Sequence, residues 1–351
     1  MSVHVPNEEP RERKHLLETL GDQVDRAVTV CTRYQHNWGA TPRLWAAAHD
    51  KSGRSLCLTA AELITANLRP GDTAIISSGW VMQPYCSLGE YDGYIGSATL
   101  ARAMSVGLGV KTLIVTDDAC VEPFRKVLHA AEMRVWDLES FFTLPAFRST
   151  CVVGFPTDRT AAARASVELL EKTGARVLIA IERSDENENG VHHTGSGRDM
   201  SAWTAKVQYL FKEARARRLP TIGVIDVGNE IGGAYLRDSV PKIVEPAVCV
   251  CPCKGTIAGA TETSIAVVGR SSNAGAYGIS ACIAGILGRP EVLHDRGLQR
   301  RLMEFLITIP LADGPTQVSS FTEDGAPAEL TLNLLDLLHW LVNCSMARSG
   351  G

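Results

Sequence analysis

The sequence predicts a doubly wound α/β fold: a mainly parallel, Rossmann-like sheet with helices on both faces and a C-terminal helical extension. Three observations carry this expectation. Short runs rich in Val and Ile recur at 73–78, 110–116, 151–155, 176–181, 221–225 and 264–268, each of strand length. Stretches of helical length separate most of them, and strand–helix alternation of this kind builds βαβ units and a parallel sheet. Polar residues, above all carboxylates, follow the apolar runs. In an open parallel sheet those positions gather at the edge where ligands bind.

Taken in order, residues 8–32 place Leu16, Leu17, Leu20, Val24, Ala27 and Val28 at helical spacing. An amphipathic helix is expected within an N-terminal helical segment, 1–50. A helix at 57–66 is closed by Arg69-Pro70-Gly71-Asp72. The strand at 73–78 runs into a loop beginning at Gly79 and ending in Gly89-Glu90-Tyr91-Asp92-Gly93. A helix at 97–106 follows, so the two acids either cap its N-terminus or face a ligand there. The strand at 110–116 ends in Asp117-Asp118, ahead of a helix at 120–132. A short strand is expected at 134–137, another strand at 151–155 and a helix at 160–172. The strand at 176–181 delivers Glu182 and Arg183 to a loop edge, and a glycine-rich loop, 184–198, holds His192 and His193. Asp199 or Ser201 is placed to cap a helix reaching Arg217.

The run 221–225 is short, Ile- and Val-rich, and reads as a buried strand. It ends in Asp226, then Gly228, Asn229, Glu230, Gly232 and Gly233. Three polar side chains thus project among glycines that let the backbone bend and approach a ligand. The strand at 264–268 leads through Asn273 and Tyr277 into a Gly/Ala-rich helix at 276–287. The tail, 289–351, carries a helix at 298–306, a turn-rich piece at 312–328 and an apolar helix at 330–342. It reads as cover for the sheet within a single domain spanning 1–351.

Composition narrows the function. Apolar content of 45% and charged content of 21% are those of a globular protein with a substantial core. A net charge of −4 without a basic block argues against nucleic acid or an anionic membrane as partner. No apolar run reaches membrane-spanning length. The stretch 1–16 mixes Glu and Arg and lacks an apolar core, so neither a signal nor a transit peptide is expected, and the expected location is cytoplasmic. The ten cysteines are then expected reduced. Two residues apart in a strand, Cys249, Cys251 and Cys253 would be strung out along it, a spacing that suits zinc poorly. Neither G-x-G-x-x-G nor G-x-x-x-x-G-K-[ST] occurs, so no nucleotide cofactor is expected.

Glu90, Asp92, Asp117, Glu182, Arg183, Asp226, Asn229, Glu230 and Asn273 should therefore share one sheet edge. Carboxylates with amides and a guanidinium suit either a divalent cation with oxygen ligands or acid–base work on a charged small molecule.

The runs Gly89-Glu-Tyr-Asp-Gly-Tyr-Ile-Gly96, Val115-Thr-Asp117, Ile181-Glu-Arg183, the stretch from Pro220 to Gly232, and Asn273-Ala-Gly-Ala-Tyr277 resemble the D-glutamate cyclase family, specifically its C-terminal domain. Asp313-Gly314 and Glu323-Asp-Gly325 fit that family's late Asp-Gly pieces. The resemblance runs from about Asp22 to the end. It implies an intramolecular dehydration of D-glutamate, or a related amino acid, to a lactam, 5-oxo-D-proline. In that reaction the α-amine must lose its proton, the attacked carboxylate needs a neutralising cation, and the leaving hydroxide needs an acid. On this resemblance Glu230, Asp226, Glu182 and Arg183 are the catalytic candidates. Glu90, Asp92, Gly93, Asn229, Asn273 and Tyr277 are the substrate-binding candidates. Asp226, Glu230 and Glu90 are the candidates to hold Mg²⁺ or Mn²⁺. The partner expected is a small amino acid or related acid, with a homo-oligomer left open. The family commonly has Pro at Tyr94, Gly at Val227, Pro-Gly at Ser184-Asp185 and Trp at Ala274. These departures keep two alternatives open: a tailoring enzyme forming or opening a lactam on another acid, and a non-catalytic acid-binding domain.

Overall fold

The computed structural model describes residues 8–31 and 37–346. Positions 1–7 of the expected N-terminal segment, and the end of its first helix at Thr32, lie outside the described residues. Three helices open the chain: α1 (Glu8–Val28), α2 (Ala40–Ser52) and α3 (Leu56–Asn67). Asp25, buried on α1, accepts the backbone N–H groups of Leu56 (2.7 Å) and Cys57 (2.9 Å), so α1 caps α3 across the fold. Next come β1 (Thr73–Gly79), α4 (Tyr94–Leu108), β2 (Lys111–Thr116), α5 (Val121–Ala130), β3 (Arg134–Trp136), α6 (Leu138–Thr143), β4 (Ser149–Gly154) and α7 (Arg159–Thr173). The second half adds β5 (Val177–Arg183), α8 (Gln208–Ala216), β6 (Thr221–Ile225), α9 (Val240–Ile243), β7 (Ile265–Val268) and α10 (Ser272–Leu287). The tail holds α11 (Arg296–Leu306), the hairpin β8 (Thr322–Glu323) and β9 (Ala326–Pro327), and α12 (Ala328–Met346).

The seven main strands form one parallel sheet in the order β3-β4-β2-β1-β5-β6-β7. The fold class is the one the sequence predicts. Strands β1, β5 and β6 are buried along their whole length, as continuous Val/Ile runs in a doubly covered parallel sheet must be. α4 and α10 cover one face, packed in turn by α1, α3 and α12; α6, α7 and α8 cover the other. α10 is buried through most of its length, and its small residues allow close approach. A Cβ on Gly96 of α4 would lie 2.9 Å from the Asn273 backbone of α10. No described helix is long and apolar enough to cross a membrane.

Chain order reverses at β1: β2 lies on one side of it and β5 on the other. The crevice outside the carboxyl ends of β1 and β5 is therefore the switch point where such sheets bind ligands.

Two expectations are corrected. The helix expected from Asp199 to Arg217 exists only as α8; residues 199–207 are turns and irregular backbone. The cause is a buried ion pair that captures this backbone: Ala205 donates its N–H to Asp117 Oδ1 (2.7 Å) and offers its carbonyl to Arg183 Nη2 (2.8 Å). The stretch through Cys249, Cys251 and Cys253, whose spacing was weighed as that of a strand, is a turn-rich loop. Pro252 and Gly255 punctuate it.

Candidate active site at the sheet edge

A cavity of about 340 Å³ opens outside the β1 and β5 ends. That volume suits a small metabolite. Its acidic lining is Glu90, Glu182, Asp226 and Asp324. Each comes from a different part of the chain. Glu90 closes the loop after β1, Glu182 lies next to the end of β5, Asp226 follows β6, and Asp324 sits at the tip of the β8–β9 hairpin.

Glu182 is the penultimate residue of β5, yet its φ is 46°. A non-glycine residue there is strained, and such strain concentrates at functional sites. The twist goes with a register irregularity between β1 and β5 near Gly79. Ser272 donates its hydroxyl to Glu182 Oε2 at 2.6 Å. Asp92 lies behind the cavity and accepts the N–H groups of Ser272 (2.7 Å) and Asn273 (2.7 Å). It thus caps a helix, one of the two roles open to it from the sequence, but the helix is α10 and not the adjacent α4.

Carboxylate oxygens of Asp92, Glu182 and Asp226 lie within 4.8 Å of one another. Burial, then the charges of Asp226 and Asp92, holds Glu182 well above the usual carboxylate range. Burial, then Asp324 and Asp226, does the same to Asp92. Burial, then Asp92, raises Glu90, opposed by a hydrogen bond shared with Glu182. Crowded carboxyls of this kind hold protons or cations that isolated ones would not.

Among the other candidates, Asn229 lines the cavity and donates its amide to His193 O at 2.8 Å. Glu230 is fully buried and turns onto its own loop, accepting the N–H groups of Gly228 (2.7 Å), Val227 (3.3 Å) and Asp226 (3.4 Å). It shapes the turn that presents Asp226. Gly93, at φ 91°, is the N-cap of α4 and donates to Asn273 Oδ1 at 3.0 Å. A side chain on Gly93 would collide with Ser78 and Glu182. Asn273 joins α10 to α4 by also accepting from Gly96 N (2.7 Å). Tyr277 donates to Glu323 Oε2 at 2.9 Å. Gly93, Asn273 and Tyr277 therefore support the site from behind and do not line the cavity.

Arg183, read from sequence as a loop-edge cation, is among the largest fully buried side chains. It is paired with Asp117 through both guanidinium arms and donates to Gly79 O at 3.1 Å. It clamps the ends of β1, β2 and β5 beneath the cavity.

The tail contributes more than cover. Asp313 accepts from Gly325 N (3.0 Å) and Thr316 Oγ1 (2.9 Å) and folds the loop that brings Gly314, Pro315, Gln317 and Asp324 to the cavity. Glu90 packs so closely on Gly314 that a Cβ there would overlap its carboxylate. The far wall is Thr194, Gly195, Ser196 and Arg198. None of these was a candidate from sequence. The Asp-Gly pairs at 313–314 and 324–325 are the signal that marks the tail contribution.

A parallel, doubly wound sheet with carboxylates from several loops at its switch point defines an α/β protein with an acid-lined cavity at the strand ends, where such sheets bind ligands. The chain belongs to the D-glutamate cyclase-like, C-terminal family, whose model matches residues 43–339. No curated protein is similar enough to the chain to match it.

Proposed function

We propose that the cavity binds a small amino diacid of the glutamate type and closes it to a lactam with loss of water, D-glutamate to 5-oxo-D-proline being the reference reaction. The observation that carries this reading is the lining of one amino-acid-sized cavity by Glu90, Glu182 and Asp226, with Asp92 clustered on Glu182 and Asp226 just behind it, in a chain of this family.

Ring closure moves two protons from the substrate ammonium to the departing carboxylate oxygen, which leaves as water. Glu90 lines the cavity, is raised by burial and shares a hydrogen bond with Glu182. It is the group placed to accept a proton from nitrogen and hand it to oxygen, once for each proton. The attacked carboxylate is a poor electrophile, and the acidic lining would repel it further. Asp92, Glu182 and Asp226 fit a hard divalent cation, since oxygen ligands at about 2.0–2.6 Å from one ion are separated by at most about 4–5 Å. Mg²⁺ or Mn²⁺ held there would neutralise the substrate carboxylate and the developing oxyanion. Arg198 at the exposed rim and the Asn229 amide would orient the second carboxylate. Because nucleophile and electrophile belong to one molecule, holding the chain folded supplies much of the acceleration.

A specific observation favours a second reading, a lactam-forming tailoring enzyme for a different acid. Val227 occupies the cavity wall where the family commonly has glycine. Turnover of D-glutamate, L-glutamate and related acids, with Mn²⁺, Mg²⁺ or chelator and chiral product analysis, tests both. Cation-dependent release of 5-oxo-D-proline is expected. Turnover of another acid only would move the assignment to the second reading. No turnover, with a ligand-dependent rise in melting temperature, would overturn catalysis altogether.

A further inference from the structure

Away from the carboxylates, three thiols and one imidazole converge. Cys249 Sγ lies 3.3 Å from Cys251 Sγ and 3.3 Å from Cys253 Sγ. His193 Nε2 lies 3.2 Å from Cys251 Sγ and 3.5 Å from Cys253 Sγ. All three cysteines are unbonded to one another. The four atoms fall within 4.8 Å of each other, and His193, Cys249 and Cys251 are buried. The other nitrogen of the His193 ring has no hydrogen-bond partner, so the thiols are what the ring is aimed at.

We propose that His193, Cys249, Cys251 and Cys253 form a structural Zn²⁺ site. A tetrahedral ion with Zn–S near 2.3 Å and Zn–N near 2.0–2.1 Å has ligand–ligand edges of about 3.5–3.8 Å. The observed separations fall within about half an ångström of that range, so small side-chain adjustments complete the shell. Three sulfurs and one nitrogen select zinc over hard cations. The surroundings are those of a thiolate: Gly255 N (3.4 Å) and Asn187 Nδ2 (3.6 Å) both donate to Cys253 Sγ. Four protein ligands leave no open position, which makes the site structural and not catalytic.

The position explains what the ion would hold. His193 carries the loop whose next residues, Thr194 to Arg198, form the far wall of the cavity. Val250 donates to Gly197 O at 3.1 Å, and Asn229 of the cavity donates to His193 O. The ion would pin the wall loop to the loop at 249–255, which is otherwise held by few backbone bonds.

The test uses the full chain, purified under reducing conditions without chelator or residual affinity resin metal. Elemental analysis should find one equivalent of zinc. Of the ten cysteines, three should resist a thiol reagent until a strong chelator is added. Co²⁺ in place of zinc should give a thiolate-to-cobalt charge-transfer band. Cys251→Ser and Cys253→Ser should lose the metal, whereas Asp226→Asn should keep it. Chelation should also increase hydrogen exchange at 193–198. Substoichiometric zinc after reconstitution with ZnCl₂, with no thiol made reactive by the chelator, would overturn the site. So would iron in place of zinc, a disulfide among the three cysteines, or zinc retained by both serine variants. Should the variants be insoluble, the wild-type metal content and thiol protection still decide.

Discussion

Glu182 and Arg183 are neighbours in sequence and stand in opposite electrostatic situations. Arg183 is buried in a matched pair with Asp117, and both of its terminal guanidinium nitrogens are hydrogen-bonded. A second matched pair, Arg270 with Glu323 at 3.2 Å, lies at the back of the site. Glu182 instead faces Asp226, Asp92 and Glu90, like charges that lift its proton affinity. Matched buried charge holds elements in place, and breaking it costs stability. Crowded like charge costs stability while it stands, and is retained where a proton or cation is put to use. The contrast can be broken at either region.

The largest effect belongs to the crowded side. Glu90→Gln keeps shape and removes the proposed proton shuttle. Turnover should fall by about 10²- to 10⁴-fold, the usual worth of a positioned acid–base group. The fold should be unharmed, because one repelling charge has gone. A variant that keeps full turnover would remove Glu90 from the chemistry.

On the matched side the outcome should invert. Arg183→Ala leaves Asp117 buried without its partner, which costs about 3–5 kcal/mol in comparable pairs. Chemical denaturation should show the loss directly, and any fall in activity should follow the folded fraction. A stable Arg183→Ala protein without turnover would instead make the guanidinium part of the site.

Protonation links the two regions. The folded-state carboxyls of Glu90, Asp92 and Glu182 are all raised. Their stabilising contribution is complete below the unfolded carboxylate value of about 4 and is lost as pH rises through the folded values. In chelator, Glu182→Gln should therefore melt above wild type at neutral pH, the gap closing as pH falls toward 4. Adding Mn²⁺ should raise the wild type more than the variant. A gap that widens on acidification would show that Glu182 is ionised and favourably paired.

The strands were legible because they are dense Ile/Val runs: 221–225 is found as read, and 110–116 is found as 111–116. Glu90, Asp92, Glu182 and Asp226 were legible because strand ends of a doubly wound sheet converge. The division between Glu182 and Arg183 left a signal too, since successive strand residues point to opposite faces. Glu230 was misleading because polarity at a strand end does not say whether a carboxylate turns outward or back onto glycine-rich backbone. Asp324 and Arg198 reach the cavity through long loops whose closure no local periodicity encodes. The thiol cluster escaped for a related reason: judged at strand spacing the three cysteines would be strung out, the turn signals Pro252 and Gly255 that gather them were not weighed, and His193 lies far away in sequence.

The smallest effect should come from the rim. Arg198 is exposed, so its loss should leave stability within about 0.5 kcal/mol of wild type. It lines the cavity mouth, where it would meet the substrate carboxylate that a cation held by Asp92, Glu182 and Asp226 would not. A solvent-exposed charge pair is worth about 0.2–1 kcal/mol. Arg198→Ala should accordingly raise KM by about 1.4- to 5-fold and leave kcat nearly unchanged, the pattern of an interaction made equally in ground and transition states. The increment should shrink in high salt, which screens exposed pairs. A fall in kcat with KM unchanged would place the guanidinium at the reacting carboxyl group, and Arg198 would then take over from the cation the task of neutralising it.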